Sequence, residues 1–258
     1  MKRVVTALFL IPFFLYIVLW APAWAFLVTV AAVAALCFYE YSELAALNGV
    51  AKPGLVGQIA GLSLLLMPAR VNSFALLALI AVVAMSLALR AGELNRVLAD
   101  AGAFLLGVIY VFGALRCGIE LRAISTYWLF FALSLNWVGD IAALYVGRAI
   151  GRHKLAPHVS PGKSWEGSAA STVFSVFYAA IYFHYVWPAA PIARVLGLTV
   201  VANIAGLLGD LCESAFKRGA GVKDSGKLLP GHGGWLDRVD SSLFALPVVY
   251  LAVSSFGW

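Results

Sequence analysis

The sequence predicts an all-α polytopic integral membrane protein, and three observations carry that class. Apolar residues make up 63% of the 258-residue chain and charged residues only 12%, against roughly 45–50% and about 25% in soluble domains. The apolar residues run in segments near the ~20 residues that cross ~30 Å of hydrocarbon. The polar residues that remain collect in three stretches, all in the second half of the chain.

About nine transmembrane helices follow from length and polar punctuation, at about 4–20, 23–39, 55–69, 73–89, 100–116, 125–147, 168–187, 192–216 and 239–256. Lys2 and Arg3 precede the first, Lys52 separates the second from the third, and Arg70 the third from the fourth. Arg90 and Arg96 precede the fifth, Arg116 and Arg122 follow it, and Arg194 marks the eighth. Two long basic loops, 148–167 and 217–238, close the sixth and eighth. With a cytoplasmic N-terminus, fourteen of the eighteen lysines and arginines fall on one side. The positive-inside bias therefore puts both long loops in the cytoplasm and the C-terminus outside. The chain is expected to form a single membrane domain, 1–258, with 1–124 as scaffold and 125–258 carrying the chemistry.

Ala23, Trp24 and Ala25 imitate a signal-cleavage site, but the preceding run exceeds the usual length and another apolar segment follows at once, so an uncleaved first helix is expected. Cys37, Cys117 and Cys212 lack metal-ligand spacing and read as small apolar residues. Net charge is +6, but its placement along the chain points to topology and anionic substrates, not nucleic acid.

The first polar stretch, 136–148, sets Asn136 and Asp140 four residues apart on one helical face. A carboxylate inside a spanning segment is expensive and faces a wet cavity or a partner. The second, 151–168, places Gly162, Lys163 and Ser164 like the end of a P-loop. Pro157 stands where that motif needs glycine and no strand is expected before it, so a nucleotide P-loop is excluded. What remains is a proline-stiffened loop at a helix start, with Lys163 able to reach a phosphate and Ser164 or Glu166 near the first turn.

The third runs from Asp210 to Asp240. Asp210, Glu213, Ser214 and Lys217, at offsets 0, 3, 4 and 7, form a polar stripe on one helical face. Asp237 and Asp240 repeat the three-residue offset, so two acidic pairs are expected to converge, and cations must sit between them. The glycine-rich loop between bends backbone N–H groups toward an anion. His232 reads as a hydrogen-bond donor to a phosphate.

These stretches resemble the phosphatidate cytidylyltransferase (CDP-diacylglycerol synthase) family. The resemblance rests on Ser214, Lys217, Arg218, Lys223, Asp224, Gly226, Pro230, His232, Gly233, Gly234, Asp237, Arg238 and Asp240. It extends to Ser160, Pro161, Lys163, Ser164, Trp165, Glu166 and Gly167, and to Asn136 and Asp140. The chain departs at Ile141, Ala142 and Tyr145, where the family carries D-T-G-A-Y, and at Trp235, where it carries an aliphatic residue.

The resemblance implies that phosphatidate attacks CTP at the bilayer surface, giving CDP-diacylglycerol and pyrophosphate, with the active site at the cytoplasmic ends of the C-terminal helices. It implies Mg²⁺, one ion or two, on Asp210, Glu213 and Asp240. Ser214, Lys217, Arg218 and Asp237 complete the catalytic set. Asn136, Asp140, Ser160, Lys163, Ser164, Glu166, Lys223, Asp224, His232, Gly233, Gly234 and Arg238 are the substrate-binding candidates. The family further suggests a homodimer in a bacterial inner membrane. Two other readings fit parts of the pattern: a CTP-dependent enzyme acting on another lipid such as a polyprenol, phytol or archaeal ether lipid, and a cation-coupled transporter. Against the transporter, no inverted repeat is visible.

Overall fold

The computed structural model describes residues 2–256 apart from positions 69, 92, 230 and 232. Ten α-helices account for most of it: α1 Lys2–Leu19, α2 Ala23–Leu47, α3 Gly54–Leu65, α4 Ser73–Ala88, α5 Val97–Gly107, α6 Ala114–Ile124, α7 Thr126–Ile150, α8 Trp165–Val186, α9 Ile192–Gly219 and α10 Leu236–Phe256. A π-helical segment, Val108–Gly113, joins α5 to α6.

Each of the nine expected segments overlaps a helix, which bears out the all-α membrane class, but nine crossings are not confirmed. Among the described residues six helical stretches are long and apolar enough to span a bilayer: α2, the continuous run Leu94–Ile124, α7, α8, α9 and α10. Helices α3 and α4 hold 12 and 16 residues, short of the ~20 that hydrocarbon thickness requires. The odd number of crossings behind an external C-terminus is therefore not supported.

The segment 148–167 also differs from the expected loop. It folds as an antiparallel hairpin, β1 Lys154–Ala156 against β2 Ser160–Ser164, pairing Lys154 with Ser164 and Ala156 with Ser160. The pairing satisfies backbone groups that a bare loop would leave to water, and Pro161 is tolerated because a two-stranded ribbon has only edges. Trp165 N–H donates to His153 O at 2.9 Å, tying the hairpin to the start of α8.

The chain forms two compact units. The first comprises Met1–Arg116 and Phe216–Arg238, the second Cys117–Ala215 and Val239–Trp258. The glycine-rich loop thus groups with the N-terminal helices.

In the first unit, small residues let helices approach where apolar surface alone gives no drive to associate in lipid. Gly57 packs under the Phe38 ring and Gly61 under Phe112, and those two rings lie 5.1 Å apart. Tyr41 OH donates to Ala103 O at 2.8 Å, and Arg116 caps the end of α3 through Leu65 O and Met67 O at 2.9 and 2.8 Å.

In the second unit α7 and α8 run antiparallel. Trp128 meets Phe183 with ring centroids 4.7 Å apart, while Gly139 faces Ser171 and Ser175, and Gly147 faces Ser164 and Gly167. A Cβ at Gly139 would stand 2.5 Å from Ser171 Oγ and 2.7 Å from Asn203 Nδ2, so glycine is what brings α7 against polar side chains of α8 and α9.

Candidate active site

The second unit holds a cavity of about 340 Å³ whose wall comes from four elements. Helix α7 supplies Asn136 and Asp140, β2 supplies Ser160, Gly162, Lys163 and Ser164, α8 supplies Ser168 and Ser171, and α9 supplies Asn203, Gly206 and Asp210. Lys163 Nζ lies 2.7 Å from Asp210 Oδ2, with side chains 21% and 29% exposed, so the pair is open to whatever enters. Asp140 stands within electrostatic reach of both. Ser214 Oγ donates to Asp210 Oδ1 at 3.3 Å, one turn along α9.

One residue that sequence reasoning passed over, Asn203, lines the cavity. Asn203 is buried and held at both ends of its amide: Nδ2 donates to Ser171 Oγ and Ser175 Oγ at 3.0 and 3.1 Å, and Oδ1 accepts from Thr172 Oγ1 at 2.9 Å. The signal was a lone asparagine in an apolar helix, seven residues before Asp210 and so on its face. Asn136, which was expected, rests its side-chain oxygen on Gly206.

Ser164 has a second task besides lining the cavity, and the remaining expected residues of this unit take other places. Ser164 is buried and caps α8, accepting from Gly167 N–H at 3.2 Å. Glu166 turns to the hairpin, where Oε1 meets His153 Nδ1 at 2.6 Å and both oxygens accept from His153 N–H. Glu213 is fully buried. Asp240 Oδ1 accepts from Ser241 N–H at 2.7 Å, and the Asp240 carbonyl lies over Gly209. Asp210, Glu213 and Asp240 do not form one three-carboxylate cluster, since no group of three such ligands is found among the described residues.

The first unit shows what became of the glycine-rich loop. Lys217 Nζ lies 2.6 Å from Asp237 Oδ1, with side chains only 10% and 5% exposed. Asp237 Oδ2 accepts from Ser225 N–H at 3.0 Å and Gly234 N–H at 2.8 Å. Glu40 on α2, 1% exposed, accepts from Ser225 Oγ at 2.9 Å, Trp235 N–H at 3.1 Å and Leu236 N–H at 2.9 Å. The expected anion is met, but it is the protein's own pair of carboxylates. They take the orphan N–H groups at the start of α10, so Gly234 N–H is occupied.

Gly233 holds φ +80°, a left-handed turn that favours glycine. Lys223, Asp224 and Arg238 are exposed, and Arg218 donates from Nη1 to Val222 O at 2.8 Å. His232 lies outside the described residues. Glu40 was absent from the expected site, although a carboxylate inside an apolar helix is itself a functional signal.

The donor set of the cavity fits a magnesium ion. Mg²⁺ is commonly held by one or two carboxylates with the remaining positions left to water and substrate phosphates. Asp140 and Asp210 would provide those two; among the described residues Lys163 is the one cation lining the cavity, so the two carboxylates leave its charge negative until a cation joins. A polyphosphate would otherwise be repelled.

The profile of the cytidylyltransferase family matches residues 1–256. The phosphatidate cytidylyltransferase of Bacillus subtilis (strain 168) is 32% identical over 265 residues, covering 99% of this chain and 98% of that protein. The enzyme of the same name from Staphylococcus saprophyticus is 34% identical over 222 residues, covering 83% and 85%. That from Staphylococcus aureus (strain COL) is 36% identical over 205 residues, covering 78% of each chain. A match across essentially the whole length, together with a cavity built from the expected Asn136, Asp140, Ser160, Lys163 and Asp210, leads to one conclusion: the chain belongs to the cytidylyltransferase family.

Proposed function

We propose that the protein is a membrane-embedded CTP:phosphatidate cytidylyltransferase. A phosphate oxygen of phosphatidate attacks the α-phosphorus of CTP, a new phosphorus–oxygen bond forms, and the bond from that phosphorus to the oxygen bridging the β-phosphate breaks. Pyrophosphate leaves with the bonding electron pair, and the lipid keeps the cytidylyl group as CDP-diacylglycerol. A phosphate monoester is already anionic at neutral pH, so the step needs positioning and charge neutralisation more than a base.

The observation that carries the reading is the accessible Lys163–Asp210 pair with Asp140 beside it, in one cavity of a cytidylyltransferase-family chain. Asp140 and Asp210 would hold Mg²⁺, with Asp240 a third candidate. The ion when bound supplies positive charge against the phosphate oxygens. Lys163 supplies the mobile cation: its ammonium exchanges Asp210 for a phosphate oxygen as substrate enters. Asn203 has both N–H groups spent on Ser171 and Ser175 and its oxygen engaged by Thr172, so it fixes the wall.

The test is purified protein in detergent with CTP, phosphatidate and Mg²⁺. CTP labelled at the α-phosphate should transfer its label to lipid while pyrophosphate appears in water. Chelation should abolish this and Mg²⁺ restore it. Transfer of the γ-phosphate to a lipid alcohol, with CDP released, would overturn the proposal. We further place both basic loops on the cytoplasmic side of a bacterial inner membrane. Reporters fused after residues 165 and 228 should read cytoplasmic, and a third fused after residue 258 tests the external C-terminus expected from sequence.

A further inference from the structure

We propose that Glu40 is a positioning residue for the glycine-rich loop, holding the loop's two ends together so that its exposed cations keep a fixed spacing for phosphate-bearing substrates. The inference rests on the cytidylyltransferase reading for its catalytic consequence. The clasp itself stands on geometry within the first unit.

The carboxylate is buried and both of its oxygens are engaged. Oε2 accepts from Ser225 Oγ and Leu236 N–H, and Oε1 accepts from Trp235 N–H. These contacts reach 185 to 196 residues along the chain, so they are tertiary clamps rather than local capping. Two glycines exist to admit Glu40: a Cβ at either Gly226 or Gly234 would lie 2.7 Å from its Cδ. Asp237 gathers the same two ends from the other side through Ser225 N–H and Gly234 N–H.

Between the clasped points lies the exposed Lys227, and immediately outside them stand Lys223, Asp224 and Arg238. Four exposed side chains, three of them cationic, thus flank ends that Glu40 and Asp237 hold together. Without the clasp the cations repel and the glycines permit many backbone paths. A substrate would then bind only the fraction of molecules whose loop is arranged correctly, and apparent affinity falls by that fraction.

The effect separates positioning from mere stability. Glu40→Gln keeps the shape but must turn an NH₂ group toward at least one of the three donors, either Trp235 N–H or the pair formed by Leu236 N–H and Ser225 Oγ. The expected result is a KM for CTP or phosphatidate raised by about tenfold, with kcat at saturation within about twofold. Amides of Ser225 and Gly234–Leu236 should exchange hydrogen faster while those of α7 and α8 keep their protection. Ser225→Ala, which removes one donor and leaves Trp235 and Leu236 in place, should raise the same KM by about two- to threefold and serves if Glu40→Gln fails to insert.

A lowered kcat with KM unchanged in both variants would overturn the proposal and leave Glu40 a fold residue. So would unchanged exchange at the loop. Wild-type protein that forms no CDP-lipid would instead sink the cytidylyltransferase reading, and the exchange measurement would still decide the clasp.

Discussion

Lysine–carboxylate pairs occur in both units, and their surroundings set them apart. Lys217–Asp237 is 10% and 5% exposed, and Asp237 spends its other oxygen on two backbone N–H groups. Lys163–Asp210 is 21% and 29% exposed and lines a cavity. The first is closed: nothing can displace either partner without leaving a buried charge behind. The second is open, and a phosphate or a metal ion can compete for each partner. Identical residue types in motifs of equal prominence thus do different work, and the difference lies in solvent access and in how many oxygens are already used.

Substitutions should separate the two pairs. The largest effect is expected at the open pair: Asp210→Asn or Lys163→Ala should lower turnover by about 10²–10³-fold, the scale for removing one electrostatic contact from a transition state. The melting temperature should stay within a few degrees, because exposed pairs contribute little to folding. Pyrophosphate release and a thermal melt on the same preparation check both halves. A large loss of stability with turnover per folded molecule intact would reverse the assignment.

Next, Asp237→Asn should cost about 3–5 kcal/mol of stability, the range for stranding one partner of a buried pair. Folded yield in detergent should drop while KM for CTP in the surviving fraction changes less than it does for Glu40→Gln. Gly234→Ala comes third, at about 1–3 kcal/mol for forcing a methyl group into an occupied site. It should also accelerate exchange at Ser225 and Leu236. The smallest effect belongs to Glu166→Gln. Its partner His153 is 79% exposed, and CTP use should stay within about twofold of wild type. A loss of a hundredfold there would move Glu166 from hairpin tether to substrate contact.

Much of this arrangement was legible beforehand, for identifiable reasons. Long apolar runs report helices because hydrocarbon imposes a length and demands that backbone groups be satisfied internally. Asp140 and Asp210 were legible because charges in such runs are costly. The spans expected at α3 and α4 are not confirmed because apolar composition alone does not report where a helix stops; Leu66 ends α3 after only 12 residues. The hairpin was missed because strands of three and five residues containing Pro161 and Gly162 carry no alternating pattern.

The contacts of Asp237 and Gly234 were not legible beforehand for a different reason. Their residue types suit a phosphate site and a protein carboxylate clasp equally well, and the deciding partner, Glu40, lies in α2. No local pattern links positions 40 and 235. Only the folded chain reveals that the loop's bound anion is its own.

The distance between Glu40 and its partners also bears on how the protein is made. At ordinary synthesis rates of 5–20 residues per second, about 10–40 s separate the appearance of Glu40 from that of Ser225, 185 residues later. Through that interval α2 is present without the donors that neutralise its buried acid. The N-terminal helices cannot complete their folding during translation and must stay receptive until the last tenth of the polypeptide arrives. A nascent chain arrested before the loop therefore carries this carboxylate without Ser225, Trp235 and Leu236 to donate to it.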